Sequence, residues 1–150
     1  MDQVVAVLEE ASAWLLSLGI DQWPARFPRH IVAERLVTHE YYLAWNDDEA
    51  VGTFSLQSSD PDLWGERPDD ALYLHGLAVR RDHAGLGRQL LAWAERRVAA
   101  AGRRYLRLDC MAGNPALRAY YERVGYRHTG DRRFAGWAAS LYEKRVDGPA

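Results

Sequence analysis

The residues with the clearest chemical potential lie in one stretch, 72–98, which reads LYLHGLAVRRDHAGLGRQLLAWAERRV. Gly85 and Gly87 fall where an apolar run gives way to a helical pattern. The N–H groups and positive dipole end of a helix start can hold an anionic oxygen, and glycine lets a phosphate approach the backbone closely. A tight strand–helix connection without a ligand is the alternative. Two familiar phosphate motifs do not fit. A P-loop requires Gly-Lys-Ser/Thr, whereas Gly87 precedes Arg88 and Gln89. The dinucleotide fingerprint requires a third glycine at the position occupied by Leu90. Cys110, the only cysteine, has no evident neighbouring base and reads as packing rather than as a nucleophile.

The elements that must hold these residues can be read from periodicity. Leu72, Tyr73, Leu74, Leu77 and Val79 predict a buried strand. Leu86, Leu90, Ala94 and Val98, widened by Leu91, predict the helix after the glycine turn. Residues 105–109 (YLRLD) predict a second strand. Asn114 as N-cap, Pro115 at the first helical position and Gly125 as the stop frame a further helix, with Leu117, Tyr120, Tyr121 and Val124 on its apolar face.

Earlier in the chain, Asp2 can cap a helix to about Leu18, with Val4, Leu8, Ala11, Trp14, Leu15 and Leu18 buried and Gly19 ending it. Residues 20–28 read as a loop and 29–37 as a short helix. Residues 40–45 and 50–56 form a hairpin pattern around Asn46, Asp47, Asp48 and Glu49. A polar surface loop is expected over 57–70. The last segment predicts a strand at 126–129, a loop over 130–136 and a strand at 140–146.

At 150 residues and 48% hydrophobic content, one globular domain with one core is expected. A net charge of −2 and a pI near 6.2 disfavour a nucleic-acid partner. A single cysteine forbids an intrachain disulfide and is compatible with a reducing compartment. No leader pattern or bilayer-length apolar run stands out, so a cytoplasmic chain without a membrane partner is expected.

LYLHGLAV, the G-L-G-R-Q-L-L turn and N-x-x-L-x-x-Y-Y-E-x-x-G-Y occur in order and at matching distances. On these motifs the chain resembles the GNAT superfamily of acyl-CoA-dependent N-acetyltransferases over most of residues 14–127. The resemblance implies an α/β fold with a mixed, twisted sheet flanked by helices. Family members usually begin with a strand, which is missing here. They also carry Arg or Gln three residues before the first glycine, where this chain has Asp82, and their turn is about two residues longer. A carboxylate near a pyrophosphate is repulsive, which weakens the expected CoA affinity.

The resemblance implies attack of a primary amine on acetyl-CoA in a ternary complex, without a metal. Cofactor contacts then fall to the main chain of Leu77, Ala78, Val79, Gly85, Leu86, Gly87 and Arg88, and to Asn114. Tyr121 matches the tyrosine that donates to the CoA sulfur. Proton transfer from a phenol near pKa ~10 to a thiolate near ~8.5 is uphill by only about 2 kcal/mol. His75 stands where many members carry a glutamate base. The gap between an imidazole near ~6.5 and an ammonium near ~10.4 is about 5 kcal/mol, so a desolvated amine or a water relay is required. A structural histidine is the alternative reading. Asp60, Asp62, Glu66, Asp69 and Asp70 could attract a cationic amine or form an ordinary solvated loop. Trp23, Trp45 and Trp64 could wall an acceptor pocket or belong to the core. A small-molecule amine is the expected partner, with a protein amine or a weakly acyl-CoA-binding regulatory module as alternatives. A homodimer is compatible with the family.

Overall fold

In the computed structural model, residues 1–17, 29–80, 83 and 85–146 are described. The order of elements is α1 (Asp2–Ser17), α2 (Arg29–Thr38), β1 (Glu40–Asn46), β2 (Glu49–Gln57), α3 (Pro61–Trp64), β3 (Ala71–Val79), α4 (Leu86–Ala100), β4 (Tyr105–Met111), α5 (Pro115–Arg123), β5 (Arg127–Phe134) and β6 (Trp137–Arg145). The protein is α/β, and its sheet of six strands has the order β1-β2-β3-β4-β6-β5. The β3–β4 pair is parallel, whereas β1–β2, β4–β6 and β5–β6 are antiparallel, so the sheet is mixed. Among the described residues no strand precedes α1, as the sequence predicts, and β1 stands at a sheet edge. No described helix is long and apolar enough to cross a membrane.

The chain divides into two compact units, one of Met1–Leu56 with Gly76–Leu90, the other of Gln57–His75 with Leu91–Ala150. In the first unit, Val4, Val5, Val7 and Leu8 of α1 pack with Val32, Ala50 and Ala78. Asp2 is already helical and pairs with Arg29. Trp14, expected on the buried face, is 36% exposed. At 100° per residue it lies roughly a third of a turn from Leu8, whereas Ser12 falls on the buried stripe. The side chain of Leu15, like Leu18, Gly19 and Trp23, lies outside the described residues. The β1–β2 hairpin closes on Asp47 and Asp48, with Asn46 opposite Glu49 and Asp47 at φ 53°. Gly52 on β2 admits the start of α4: a Cβ there would meet Leu90 Cδ1 at 2.9 Å and Leu86 Cδ2 at 3.4 Å.

In the second unit, Trp64, Ala71, Tyr73, Ala139 and Leu141 form one core cluster. The expected surface loop at 57–70 is therefore corrected. It contains the single turn α3, begun by Pro61, and it delivers Trp64 to the interior. The loop expected over 130–136 is also corrected, because β5 continues to Phe134 before turning into β6. β5 is a mostly exposed edge strand paired with β6, so no apolar alternation marked it in the sequence.

Arg107 is buried within this unit. Its guanidinium bonds Glu143 at 3.0 Å, Asp70 at 3.3 Å and the Tyr73 hydroxyl at 3.0 Å. It also faces the rings of Trp64, Tyr73 and Tyr105 at 5.3, 5.7 and 5.0 Å. Burial works against its charge, but Glu143 and Tyr73 more than offset this and raise its pKa. Burial likewise pushes the Glu143 carboxyl up, yet hydrogen bonds from Arg107 and Arg127 hold it below its usual value.

A carboxylate depressed by folding stabilises the native state above its unfolded pKa of ~4.3, and that contribution is lost as pH falls through the folded value. Glu143→Gln should therefore cost ~3–5 kcal/mol at pH 7 in urea unfolding, as expected for stranding a buried charge. The gap from wild type should narrow in acid below ~4.3. Equal stability at pH 7 would show that Asp70 alone neutralises Arg107.

Candidate active site

The parallel pairing of β3 with β4 covers Ala71–Tyr73 against Tyr105–Arg107, while β3 runs on to Val79 and β4 to Met111. Side chains two apart on a strand share a face, so His75 and Asp109 are the next like-facing positions after Tyr73 and Arg107. They meet: His75 Nδ1 is 3.7 Å from Asp109 Oδ1. The other ring nitrogen, Nε2, lies 3.0 Å from the Gln57 side-chain nitrogen and 2.9 Å from Asp60 Oδ2. A proton on Nε2 serves Asp60 and one on Nδ1 serves Asp109, so the imidazole has a carboxylate for either tautomer and for both protons of the charged ring. Burial raises the Asp109 carboxyl above its ordinary value, with His75 pulling it down and Asp60 pushing it up. Asp60 is buried, which removes it from the solvated-loop reading that covers its exposed neighbours Asp62, Glu66 and Asp69. Asp60, His75 and Asp109 bring one donor atom each to within 4.8 Å of one another, a donor set that a cation could use.

Asn114 caps α5 by accepting from the Leu117 N–H at 3.1 Å, and Pro115 occupies the first turn. The helix buries Tyr121 against Tyr120, Tyr126 and Tyr142, with ring centroids 5.6, 5.9 and 6.1 Å apart. Burial first, then Cys110, Asp109 and Tyr120, raises the pKa of its hydroxyl, which makes Tyr121 a proton-bearing donor. Cys110 is buried and its thiol is pushed up to about 12, chiefly by burial and next by Asp109. Trp64 is core, whereas Trp45 is exposed at the β1–β2 bulge.

In the first unit, Ala78 is buried and Leu77 and Val79 are half-buried at the end of β3. Gly85 adopts φ 89°, which suits glycine, and the Leu86 N–H bonds the His83 carbonyl at 3.2 Å. α4 begins at Leu86, so Gly87 and exposed Arg88 lie in its first turn, where N–H groups have no intrahelical acceptor. Asp82 lies outside the described residues.

The model of the acetyltransferase (GNAT) family matches residues 8–126. This chain belongs to the GNAT acetyltransferase family. The uncharacterized N-acetyltransferase YesJ of Bacillus subtilis (strain 168) is 30% identical over 158 residues, covering 97% of this chain and 84% of that protein. The solved structure of a GNAT-family acetyltransferase from Listeria monocytogenes 4b F2365 is similar at TM-score 0.74 and 27% identity, over 94% of this chain and 86% of that one. A GNAT-family acetyltransferase from Elizabethkingia anophelis, solved with acetyl-CoA bound, shares the fold at TM-score 0.62 and 17% identity, over 79% and 84% of the two chains.

Within this GNAT acetyltransferase, His75 is joined by Asp109 and Gln57, which the sequence alone did not single out. Strand parity offered a signal for Asp109, since the YLRLD run places Arg107 and Asp109 on one face.

The Cys110 environment predicts slow chemistry. At pH 8 the folded protein should react with a thiol-specific disulfide reagent on the order of 1,000-fold more slowly than the urea-unfolded chain, for lack of thiolate. Comparable rates would show an accessible, activated thiol.

Proposed function

We propose that this acetyltransferase moves the acetyl group of acetyl-CoA to the primary amine of a small molecule by direct attack in a ternary complex. The observation that carries the acceptor side of this reading is His75, which has a carboxylate beside each ring nitrogen. For acetyl-CoA, support comes from the family match and from the bound acetyl-CoA of the Elizabethkingia relative.

Each role rests on the chemistry of its residue. The main chain of Leu77, Ala78 and Val79 holds the acyl-CoA arm, and an N–H there polarises the thioester carbonyl. The N–H groups of Gly85, Leu86, Gly87 and Arg88 receive the pyrophosphate, helped by the positive end of α4. Asn114 serves the CoA arm with its remaining hydrogen-bonding capacity beyond the cap. His75 takes the proton from the ammonium, and Asp109 steadies the imidazolium that results. The amine then attacks the carbonyl carbon, the C–N bond forms and the C–S bond breaks. Tyr121 donates its proton to the departing thiolate and regains one from the nascent amide nitrogen.

A thiol-release assay across an amine panel tests this directly, preceded by calorimetric titration with acetyl-CoA. Micromolar binding and amine-dependent release are expected. Absence of binding at millimolar acetyl-CoA would sink the proposal. Tyr121→Phe should bind acetyl-CoA as wild type does and lose at least ~100-fold in kcat. Undiminished turnover would remove Tyr121 from the mechanism.

A further inference from the structure

The β1–β2 ladder pairs Ala44 with Gly52 and Trp45 with Ala50, so Val51 is skipped at a bulge. Arg80, the first residue after β3, meets this bulge twice. Its main-chain N–H bonds the Val51 carbonyl at 2.8 Å, and its side-chain Nε bonds the Ala50 carbonyl at 2.8 Å. Carboxylates flank the guanidinium: Nη1 lies 3.3 Å from Glu10 Oε1 on α1, and Nε lies 3.5 Å from Glu49 Oε1 on β2. Both glutamates are exposed, so these pairs add little. The bond to Ala50 carries the weight, because Ala50 is buried and its carbonyl has little water to turn to. Arg80 also starts a short relay into α4. Its carbonyl accepts from the His83 N–H at 3.1 Å, and the His83 carbonyl accepts from the Leu86 N–H at 3.2 Å. Leu86 is the first residue of α4.

We propose that Arg80 is the positioning residue of the cofactor turn. Anchored at the β2 bulge, it fixes where the turn leaves the sheet, and the relay through His83 sets where the first N–H groups of α4 meet a pyrophosphate. This rests on the acetyl-transfer reading above and adds a determinant of cofactor grip whose side chain touches no cofactor atom. The guanidinium is engaged by Ala50 and Glu10, so it acts through the turn and not on phosphate. Only residues 80–85 separate β3 from α4, so a misplaced start is passed directly to the helix. An anion held by several N–H groups at once is sensitive to such a shift, because each bond weakens steeply as its angle closes and its length grows.

The test compares acetyl-CoA with S-acetylpantetheine, an acetyl thioester that keeps the pantetheine arm and lacks the pyrophosphate and nucleotide. Arg80→Met keeps an apolar stem and removes the donors. Its calorimetric Kd for acetyl-CoA should rise ~10-fold, as for a lost charged hydrogen bond. At saturating acetyl-CoA kcat should stay within about threefold, and KM for S-acetylpantetheine should match wild type. Arg80→Lys, with one compact ammonium for the carbonyl or a carboxylate, should fall between the two, and it replaces the Met variant if that one folds poorly. A merely structural role would depress kcat and weaken both thioesters alike, and that outcome overturns the assignment. An acetyl-CoA Kd that ignores Arg80 overturns it too. Were the guanidinium a phosphate ligand, Glu10→Gln would release it and tighten acetyl-CoA binding; positioning predicts no tightening and falls if it is seen. These results sink this inference alone, whereas a wild type that binds no acetyl-CoA at millimolar ligand sinks the acetyl-transfer reading with it.

Discussion

The second unit is built around one buried cation. Arg107 is only 4% exposed, so its charge must be met largely by protein, and three rings with two carboxylates meet it. Those partners come from β3, β4, β6, α3 and the strand-leading residue Asp70. A single guanidinium thus ties together segments that also share the apolar cluster of Trp64, Ala71, Tyr73, Ala139 and Leu141, with Leu63 beside it. Arg107 is also the last β4 residue in register with β3. The ladder and the buried charge end at the same place.

Past the Tyr73–Arg107 pair the next like-facing position on each strand is polar. Their shared face carries His75 and Asp109 rather than another apolar layer, and the turn that seats Trp64 brings Asp60 to them. The neighbouring cage pairs its buried cation with two carboxylates and a phenol. The His75 group instead sets one imidazole between two carboxylates. The buried ion cage and the proposed reactive group are separated by two residues of strand, which is the smallest step that keeps a side chain on the same face.

Much of this was legible in the sequence because it is local. The β1–β2 hairpin, the Asn114 cap with Pro115 and the glycine-led start of α4 depend on turn and cap chemistry within a few residues, and the structure has them where the pattern put them. Hydrophobicity alone misplaces Trp14, because the helical angle turns it outward and Ser12 takes the buried position. The interior role of Asp60 and Trp64 was hidden in a run of turn-forming and charged residues, and only the distant Arg107 explains why that run turns inward. β5 had no apolar signal, since an exposed edge strand is held by main-chain bonds to β6. Tertiary partners, not propensity, decided each of these cases.

Under the proposed function, Gly52 would act on ligand chemistry without meeting the ligand. It has no side chain where α4 begins, and Leu86 and Leu90 rest in the space this leaves. The size of residue 52 is therefore a spacer that sets the height of the first turn of α4 above β2. Gly87 and Arg88 ride on that turn. Drift at position 52 would tune cofactor grip as a thickness rather than a charge, leaving every proposed contact atom chemically intact.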